Sequence, residues 1–202
     1  MNGYLKQVHG LDGVKTVIDH YDAWSDTYDT EIAENGYALP KRMAEAVASV
    51  MDDKSLPLLD FGCGTGLAGA ALKSLGFTTI DGMDVSAEMM AQAAPKGIYR
   101  TLTHIDPGTA LPVPAGTYPL ITACGVIGAG AAPLDVLDTL ATNLTTGGKL
   151  AFSFNDKTLL DPAYLARVES HQNNGFDLIY KERGAHLPGI DMKSTVYILE
   201  KT

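Results

Sequence analysis

Three acidic side chains and a set of alternating glycines carry most of the chemistry in this 202-residue chain. Asp60 lies two residues ahead of Gly62, in the run Leu58-Leu59-Asp60-Phe61-Gly62-Cys63-Gly64-Thr65-Gly66, and Asp84 and Asp106 follow two later apolar segments. Glycine removes the side-chain obstacle and permits positive φ, so such a loop lets backbone come close to a ligand. The carboxylate then sorts ligands by charge. An acid here repels a pyrophosphate and suits a molecule with an ammonium and a sulfonium, which describes S-adenosylmethionine. The competing pattern is Gly64-Thr65-Gly66-Leu67-Ala68-Gly69, which spells a dinucleotide fingerprint with an acid downstream. Against it, Gly62 and Asp60 precede the first fingerprint glycine. Phosphates also favour a helix N-terminus free of negative side chains.

The remaining candidates surround that loop. Asp84, closing Ile80-Asp81-Gly82-Met83-Asp84-Val85-Ser86, suits acceptance from both ribose hydroxyls or a plain helix-capping role; the ribose role is shared by dinucleotide folds. Asp81 is expected in solvent. Val85 packs on an adenine face or in the core. Asp106, after His104-Ile105, accepts from an adenine amine or forms the turn before Pro107. Tyr21, Trp24 and Tyr28 fall three and four apart on one helix face, a core stripe or the roof of a cofactor site. Met89 and Met90 read as core. His20, beside Tyr21, and His186, in the segment Lys181 to Lys193 expected to be a loop at the active edge, are the candidate general bases; each also suits an ordinary surface or hydrogen-bonded role.

The elements that must position these residues alternate. Residues 1–55 read as helical, with Asp12 as the cap of a helix carrying Val14, Val17, Ile18, Tyr21 and Trp24. Pro40 suits the first turn of another helix, with Met43, Ala46, Val47 and Val50 facing inward. Strands are expected at Leu58 onward, Thr78 to Met83, Ile98 to Leu102, Leu120 to Cys124, Lys149 to Phe154, Phe176 to Tyr180 and Thr195 to Leu199. Ser86 caps one intervening helix, Pro133 to Leu144 forms another, and Asp161-Pro162 opens a third that Gly175 stops. The pattern predicts one α/β domain: a helical cap over residues 1–55 and a Rossmann-like core over 56–202, mostly parallel, with helices on both faces. Ligands in such sheets sit beyond the carboxyl ends of the strands, where strand order reverses.

Composition narrows the function. Hydrophobic residues make up 46% and charged ones 19%, enough to bury a core. The net charge of −9, with no Lys/Arg cluster, disfavours nucleic acid as substrate. Two cysteines, Cys63 and Cys124, have no metal-ligand spacing, and no metal is expected. Met1 to Gly10 has no apolar signal core and no run approaches a membrane span, so a soluble cytoplasmic protein is expected.

The stretches YDAWSDTYD (21–29), LLDFGCGTG (58–66), GMDVSAEMM (82–90), LPVPAGTYPLITACG (111–125), LTTGGKLAFS (144–153) and STVYILEK (194–201) resemble the class I S-adenosylmethionine-dependent methyltransferases. Within them the chain is most similar to the Williams–Beuren syndrome critical-region methyltransferase-like proteins and their bacterial relatives, over about residues 8–201. The resemblance implies a seven-stranded sheet of order 3-2-1-4-5-7-6 with the last strand antiparallel. It implies that Asp60, Gly62, Gly64 and Gly66 hold the methionine moiety of S-adenosylmethionine, Asp84 the ribose and Asp106 the adenine. Tyr28 would touch the donor from a lid, and the Cys124 carbonyl would meet its ammonium. Cys63 and Cys124 would both lie near the donor pocket as small apolar thiols rather than a disulfide. Pro119 departs from the pattern, since relatives usually carry Asp there.

Methyl transfer needs alignment, exclusion of water and, for an alcohol or phenol, a base. After Cys124-Gly125-Val126-Ile127 no Asn/Asp-Pro-Pro-aromatic motif follows, and Gly128-Ala129-Gly130-Ala131-Ala132 leaves room without naming an acceptor. The expected acceptor is a small molecule methylated on O, N or S. A non-catalytic module that binds the donor or its product is the alternative, and a nicotinamide-dependent oxidoreductase the more distant one.

Overall fold

A computed structural model describes residues 3–7 and 13–202. Helices α1 (Tyr4–Gln7), α2 (Val14–Glu34) and α3 (Leu39–Val50) precede the first strand. Then β1 (Leu58–Phe61), α4 (Leu67–Ser74), β2 (Ile80–Asp84), α5 (Ala87–Ala93), β3 (Thr101–His104) and β4 (Tyr118–Ala123) alternate. The chain closes with α6 (Val136–Asn143), β5 (Leu144–Asn155), α7 (Pro162–Gln172), β6 (Phe176–Leu187) and β7 (Met192–Lys201). The seven strands lie in the order β3-β2-β1-β4-β5-β7-β6. Strands β1 to β5 pair in parallel, and β7 runs antiparallel to both β5 and β6.

Side-chain alternation along these strands sends apolar residues to two faces. Leu58, Ile80, Leu120 and Ile198 pack with Met43, Val47 and Leu72 of α3 and α4. Leu59, Ile121, Leu150 and Phe152 pack on the other face with Leu137 and Leu140 of α6 and Val168 of α7. All four residues of β1 are buried, as a strand covered on both faces requires. A third cluster, with Leu5, Trp24, Ile32, Met89, Leu187 and Met192, ties α2 to the sheet's active edge.

Local signals hold where side-chain chemistry fixes them. Ser86 Oγ accepts from Met89 N at 3.0 Å and caps α5, and Asp161 accepts from Ala163 N at 2.9 Å with Pro162 opening α7. Pro40 sits in the first turn of α3. The expected cap Asp12 lies outside the described residues. Gly13 stands at the N-cap of α2, and Val14, expected on the apolar stripe, is exposed at the first turn.

Pairing corrects several boundaries. β2 begins at Ile80 rather than Thr78, and β3 at Thr101 rather than Ile98. Ile98 and Tyr99 instead pack under Gly66 and Gly69 at the start of α4. β5 starts at Leu144, with the Gly147-Gly148 turn absorbed as an irregularity where Tyr118 pairs Leu144 and Leu120 pairs Lys149. The expected loop from Lys181 to Lys193 is mostly strand. β6 runs to Leu187 because β7 offers a partner all the way from Lys201 back to Met192, and ladder hydrogen bonds outweigh the polar composition. Asp81 is also corrected. It is buried, paired with Arg100, and accepts from Thr101 Oγ1 at 2.8 Å and Tyr118 Oη at 3.0 Å. Its place inside β2 points the carboxylate inward, where those three donors offset desolvation.

Candidate active site

The parallel strands β1, β2 and β4 end together at the point where strand order reverses, between β1 and β4. The glycine loop leaves β1 there. Gly62 has φ +67°, and a Cβ on it would collide with Val126, so the loop can approach the β4 exit only without a side chain. Gly64 has φ +52°, and its missing Cβ faces open space. Of the glycines at 62, 64 and 66 it is the one where an added Cβ would meet no protein atom within 4 Å.

Asp60 is completely enclosed. It is 1% exposed, and its carboxylate accepts from Tyr99 Oη at 2.7 Å and from Thr122 Oγ1 at 2.9 Å, Thr122 being its register partner on β4. Burial pushes its pKa up to about 6, against the pull of those two hydroxyls. Asp60 thus lies under the glycine loop as a buried negative charge and lines neither cavity described below. Gly69 has its own reason. Tyr99 crosses it to reach Asp60, and a Cβ there would strike the tyrosine hydroxyl. The third glycine of the dinucleotide-like pattern therefore serves a tyrosine.

Asp84 ends β2 with one oxygen turned to the glycine loop and the other to the cap of α5. Oδ2 accepts from Gly64 N at 2.7 Å and Oδ1 from Ser86 N at 2.8 Å. Burial raises its pKa, with those backbone donors opposing. Val85 is half-buried against the core beside it. Asp106 is exposed just beyond β3, and its carbonyl accepts from Thr109 Oγ1 at 2.7 Å, so the turn reading accounts for its backbone while its carboxylate faces outward.

Helix α2 lies across this edge and shows why its sequence is so dense. Tyr21, Trp24 and Tyr28 form one aromatic face, Tyr21 stacked on Trp24 and Tyr28 edge-on to it with centroids 4.6 Å apart. The acids form a second face that fastens α2 to the core. Asp22 Oδ1 accepts from Ser86 Oγ at 2.6 Å, Asp26 from Gln92 at 3.0 Å, and Asp29 from Thr65 Oγ1 at 2.5 Å and Lys96 Nζ at 2.6 Å. Asp22 and Tyr21 press on Asp84 closely enough to perturb, or be perturbed by, its charge. Tyr99, Thr122, Thr65 and the three lid acids escaped sequence reasoning, because each matters through a partner distant in the chain.

Two cavities adjoin under α2 and share Tyr28 and Tyr37. The smaller, about 310 Å³ including its open mouth, is bounded by Gly62, Cys63, Gly64, Thr65 and Cys124. The larger, about 600 Å³ including its open mouth, runs from Trp24 to Gly125, the 127–131 segment, Ser153 and His186. Cys63 and Cys124 are free thiols and both line the smaller cavity; burial raises the pKa of each, keeping them neutral. Tyr28 and Tyr37 are held neutral the same way, and burial pushes Tyr21 up to about 12. His186 lines the larger cavity and packs its ring on Tyr37 at 5.3 Å. His20 lines neither; it stands edge-on to Tyr4 and Trp24, and burial lowers its pKa.

A methyltransferase-domain family profile matches residues 33–191. Human methyltransferase-like protein 27 is 30% identical over 139 residues, which cover 67% of this chain and 57% of that protein. The chain thus spans less than two thirds of that relative's length. Among solved structures, a putative class I S-adenosylmethionine-dependent methyltransferase from Listeria monocytogenes superposes with a TM-score of 0.65 at 16% identity, covering 82% of this chain and 59% of that one. Magnesium protoporphyrin IX methyltransferase from Synechocystis PCC 6803 gives 0.59 at 18% identity, covering 98% and 90%. Ribosomal protein L11 methylase from Lactobacillus delbrueckii gives 0.60 at 24%, covering 83% and 81%. These likenesses establish the fold, while their named substrates differ. The chain belongs to the methyltransferase-domain family, with the sheet order of the class I S-adenosylmethionine-dependent enzymes.

Proposed function

We propose that this protein transfers the methyl group of S-adenosylmethionine to an O, N or S atom of a small molecule held beneath α2. The observation that carries this reading is the pair of adjoining cavities, one walled by the glycine loop and the other by aromatic rings, meeting at Tyr28 and Tyr37. The residues fit such a donor. Gly64 leaves a cradle that a Cβ would fill, and the buried carboxylate of Asp60 together with Asp84 gives the loop a negative field that opposes phosphate and favours ammonium and sulfonium. Lys96, the cation nearest the loop, is already paired with Asp29.

S-adenosylmethionine supplies a methyl group already activated on sulfur. The chain's residues would supply the rest. Gly62, Gly64, Gly66 and the Cys124 carbonyl would hold the methionine end, with Asp60 acting through the loop from below. Asp84 would accept from the ribose, with Val85 and Asp106 along the adenine. Tyr28 would touch the donor from α2. Where the acceptor gives up a proton, His186 is the base on the cavity wall, since burial holds the neighbouring thiols and phenols neutral. Alignment and dryness provide the catalysis that the donor does not.

Calorimetry with S-adenosylhomocysteine and with NADH tests the donor: saturable binding of the first, undisturbed by the second, is expected. Binding of NADH that S-adenosylhomocysteine cannot displace would end the proposal. Labelled donor incubated with a panel of phenols, amines and thiols then tests transfer. Tight product binding with no label transferred to any of them would leave a binding module instead.

A further inference from the structure

Two successive residues of β6, His186 and Leu187, line the larger cavity together. A regular strand forbids this, because neighbouring side chains point to opposite faces. The exception has a visible cause. Ala185 pairs with Lys193 and Leu187 with Met192, so β6 takes two steps where β7 takes one, and His186 is the extra residue of a β-bulge. Such bulges re-aim side chains and are concentrated beside active sites. The His186 ring stands 5.3 Å from that of Tyr37, which walls both cavities.

A bulge lifts backbone groups out of the ladder, and those groups need other partners. The first turn of α3 supplies them. Ala38 N, at the N-cap, donates to His186 O at 2.9 Å. Arg42, one turn on, lays its guanidinium along the sheet. Its Nη1 donates to Ala185 O at 3.0 Å and to Ser194 O at 3.2 Å, and its Nη2 to Glu182 O at 3.0 Å. Ser194 lies opposite Gly184 on β7, so one side chain grips both strands just before the bulge. Only 14% of that side chain is exposed, whereas its carboxylate neighbour Glu182, 3.5 Å away, is mostly in solvent. Arg42 therefore works on main-chain carbonyls, a task that suits a planar fork of five N–H donors better than an ammonium. Gly184 completes the fit. A Cβ there would come within 2.7 Å of the guanidinium carbon, so the position must be bare for Arg42 to lie where it does.

We propose that Arg42 is a positioning residue: its grip on Glu182, Ala185 and Ser194 fixes the bulge and so sets the His186 imidazole on the wall of the larger cavity. That an acceptor lies there and yields a proton to His186 rests on the function proposed above; the placement does not.

Proton NMR of the histidine rings reads the placement directly and needs no ligand. The chain has five histidines, and His186→Gln identifies the His186 signal by its disappearance. In the wild type that ring should show cross-relaxation with Tyr37 and a ring-current shift from it. Arg42→Met keeps a long apolar stem and removes the guanidinium, and both signatures should be lost. Gly184→Ala leaves Arg42 in the chain but displaces its head group, and should lose them too. His171, bonded to Asp138 at 2.9 Å and packed on Phe176 at the other end of β6, reports on the rest of the fold, and its signal should stay in place. A His186 ring unmoved in both variants would overturn the proposal. So would a His171 signal displaced as far as that of His186, since the fold would then have loosened generally. With an acceptor from the panel, Arg42→Met should lower kcat about tenfold or more while S-adenosylhomocysteine affinity stays within about twofold. A loss confined to KM would also overturn it. Wild-type transfer rates in His186→Gln would sink the base reading alone, because the ring signals still decide this one.

Discussion

Replacing Asp60 by Asn should make the protein more stable at neutral pH and worse at holding its donor. The carboxyl is enclosed, and burial pushes its pKa up to about 6 although Tyr99 and Thr122 both donate to it. An unfolded aspartate titrates near ~3.9, so folding tightens its hold on the proton roughly a hundredfold, which is about 3 kcal/mol. Below about pH 4 the group is protonated in both states and adds no pH dependence. As pH climbs toward 6, the unfolded chain releases this proton while the folded chain keeps it, so stability falls. Above about 6 the whole difference is in force. Asparagine resembles the protonated acid in shape and carries no charge. Urea titrations of both proteins at pH 4.5 and 7.5 should therefore show the wild type losing about 2 kcal/mol more than Asp60→Asn between the two pH values, the rest having been lost below pH 4.5. Groups with lowered pKa, such as Asp81 and Asp156, act with the opposite sign, but they are common to both proteins and cancel in the comparison. Equal losses would refute the claim that Asp60 holds a costly buried charge. The same variant should bind S-adenosylhomocysteine at least tenfold more weakly, about 1.4 kcal/mol, because Asp84 alone is left to supply the negative field at the glycine loop. A charge kept at the expense of stability is expected where it serves a ligand.

Tyr99→Phe removes one of the two hydroxyls on Asp60 and should cost about 1–3 kcal/mol, more at pH 7.5 than at pH 5, by the same urea titrations. Gly64→Ala places a Cβ in the smaller cavity at φ +52°, so about 1–2 kcal/mol of strain should accompany a loss of S-adenosylhomocysteine affinity of tenfold or more in calorimetry. Asp29→Asn weakens the fastening of α2 to Thr65 and Lys96. Its partly exposed ion pair is worth about 1 kcal/mol at most, so amide exchange over residues 14–34 should quicken by up to about fivefold, with protection restored by S-adenosylhomocysteine.

The alternation of strands and helices, the exit of the glycine loop and the capping residues Ser86 and Asp161 were legible in the sequence because each is written in local chemistry: apolar runs, glycines at a strand end, a hydroxyl or carboxylate before a helix. The strand order came only with the family resemblance. The positions of Cys63 and Cys124 followed from the topology that the resemblance implies, in which β1 and β4 are neighbours. What escaped depended on pairing over distance. Asp81 looks like a surface acid until Arg100, Thr101 and Tyr118 are folded against it. The segment after Tyr180 is polar enough to be a loop until β7 supplies a ladder for it. Nothing in the spacing of Tyr99 announces that it will cross Gly69 to reach Asp60, 39 residues earlier.

The stretch from Tyr21 to Asp29 shows how both kinds of information sit in one segment. Its periodicity assigns Tyr21, Trp24 and Tyr28 to one face of a helix and Asp22, Asp26 and Asp29 to an adjacent one, and that much needs no structure. Periodicity is silent on what either face meets. In the fold the acids meet hydroxyl, amide and ammonium donors on α5, the glycine loop and Lys96, while the rings cover the two cavities. The two faces are therefore coupled. Any ligand that reaches Asp84 or Thr65 must compete with Asp22 and Asp29 for the same neighbourhood, and a helix displaced there carries Trp24 and Tyr28 with it. A donor seated at the glycine loop as proposed would therefore be coupled through α2 to the shape of the larger cavity, and substitutions that unfasten α2 should alter binding at both cavities together.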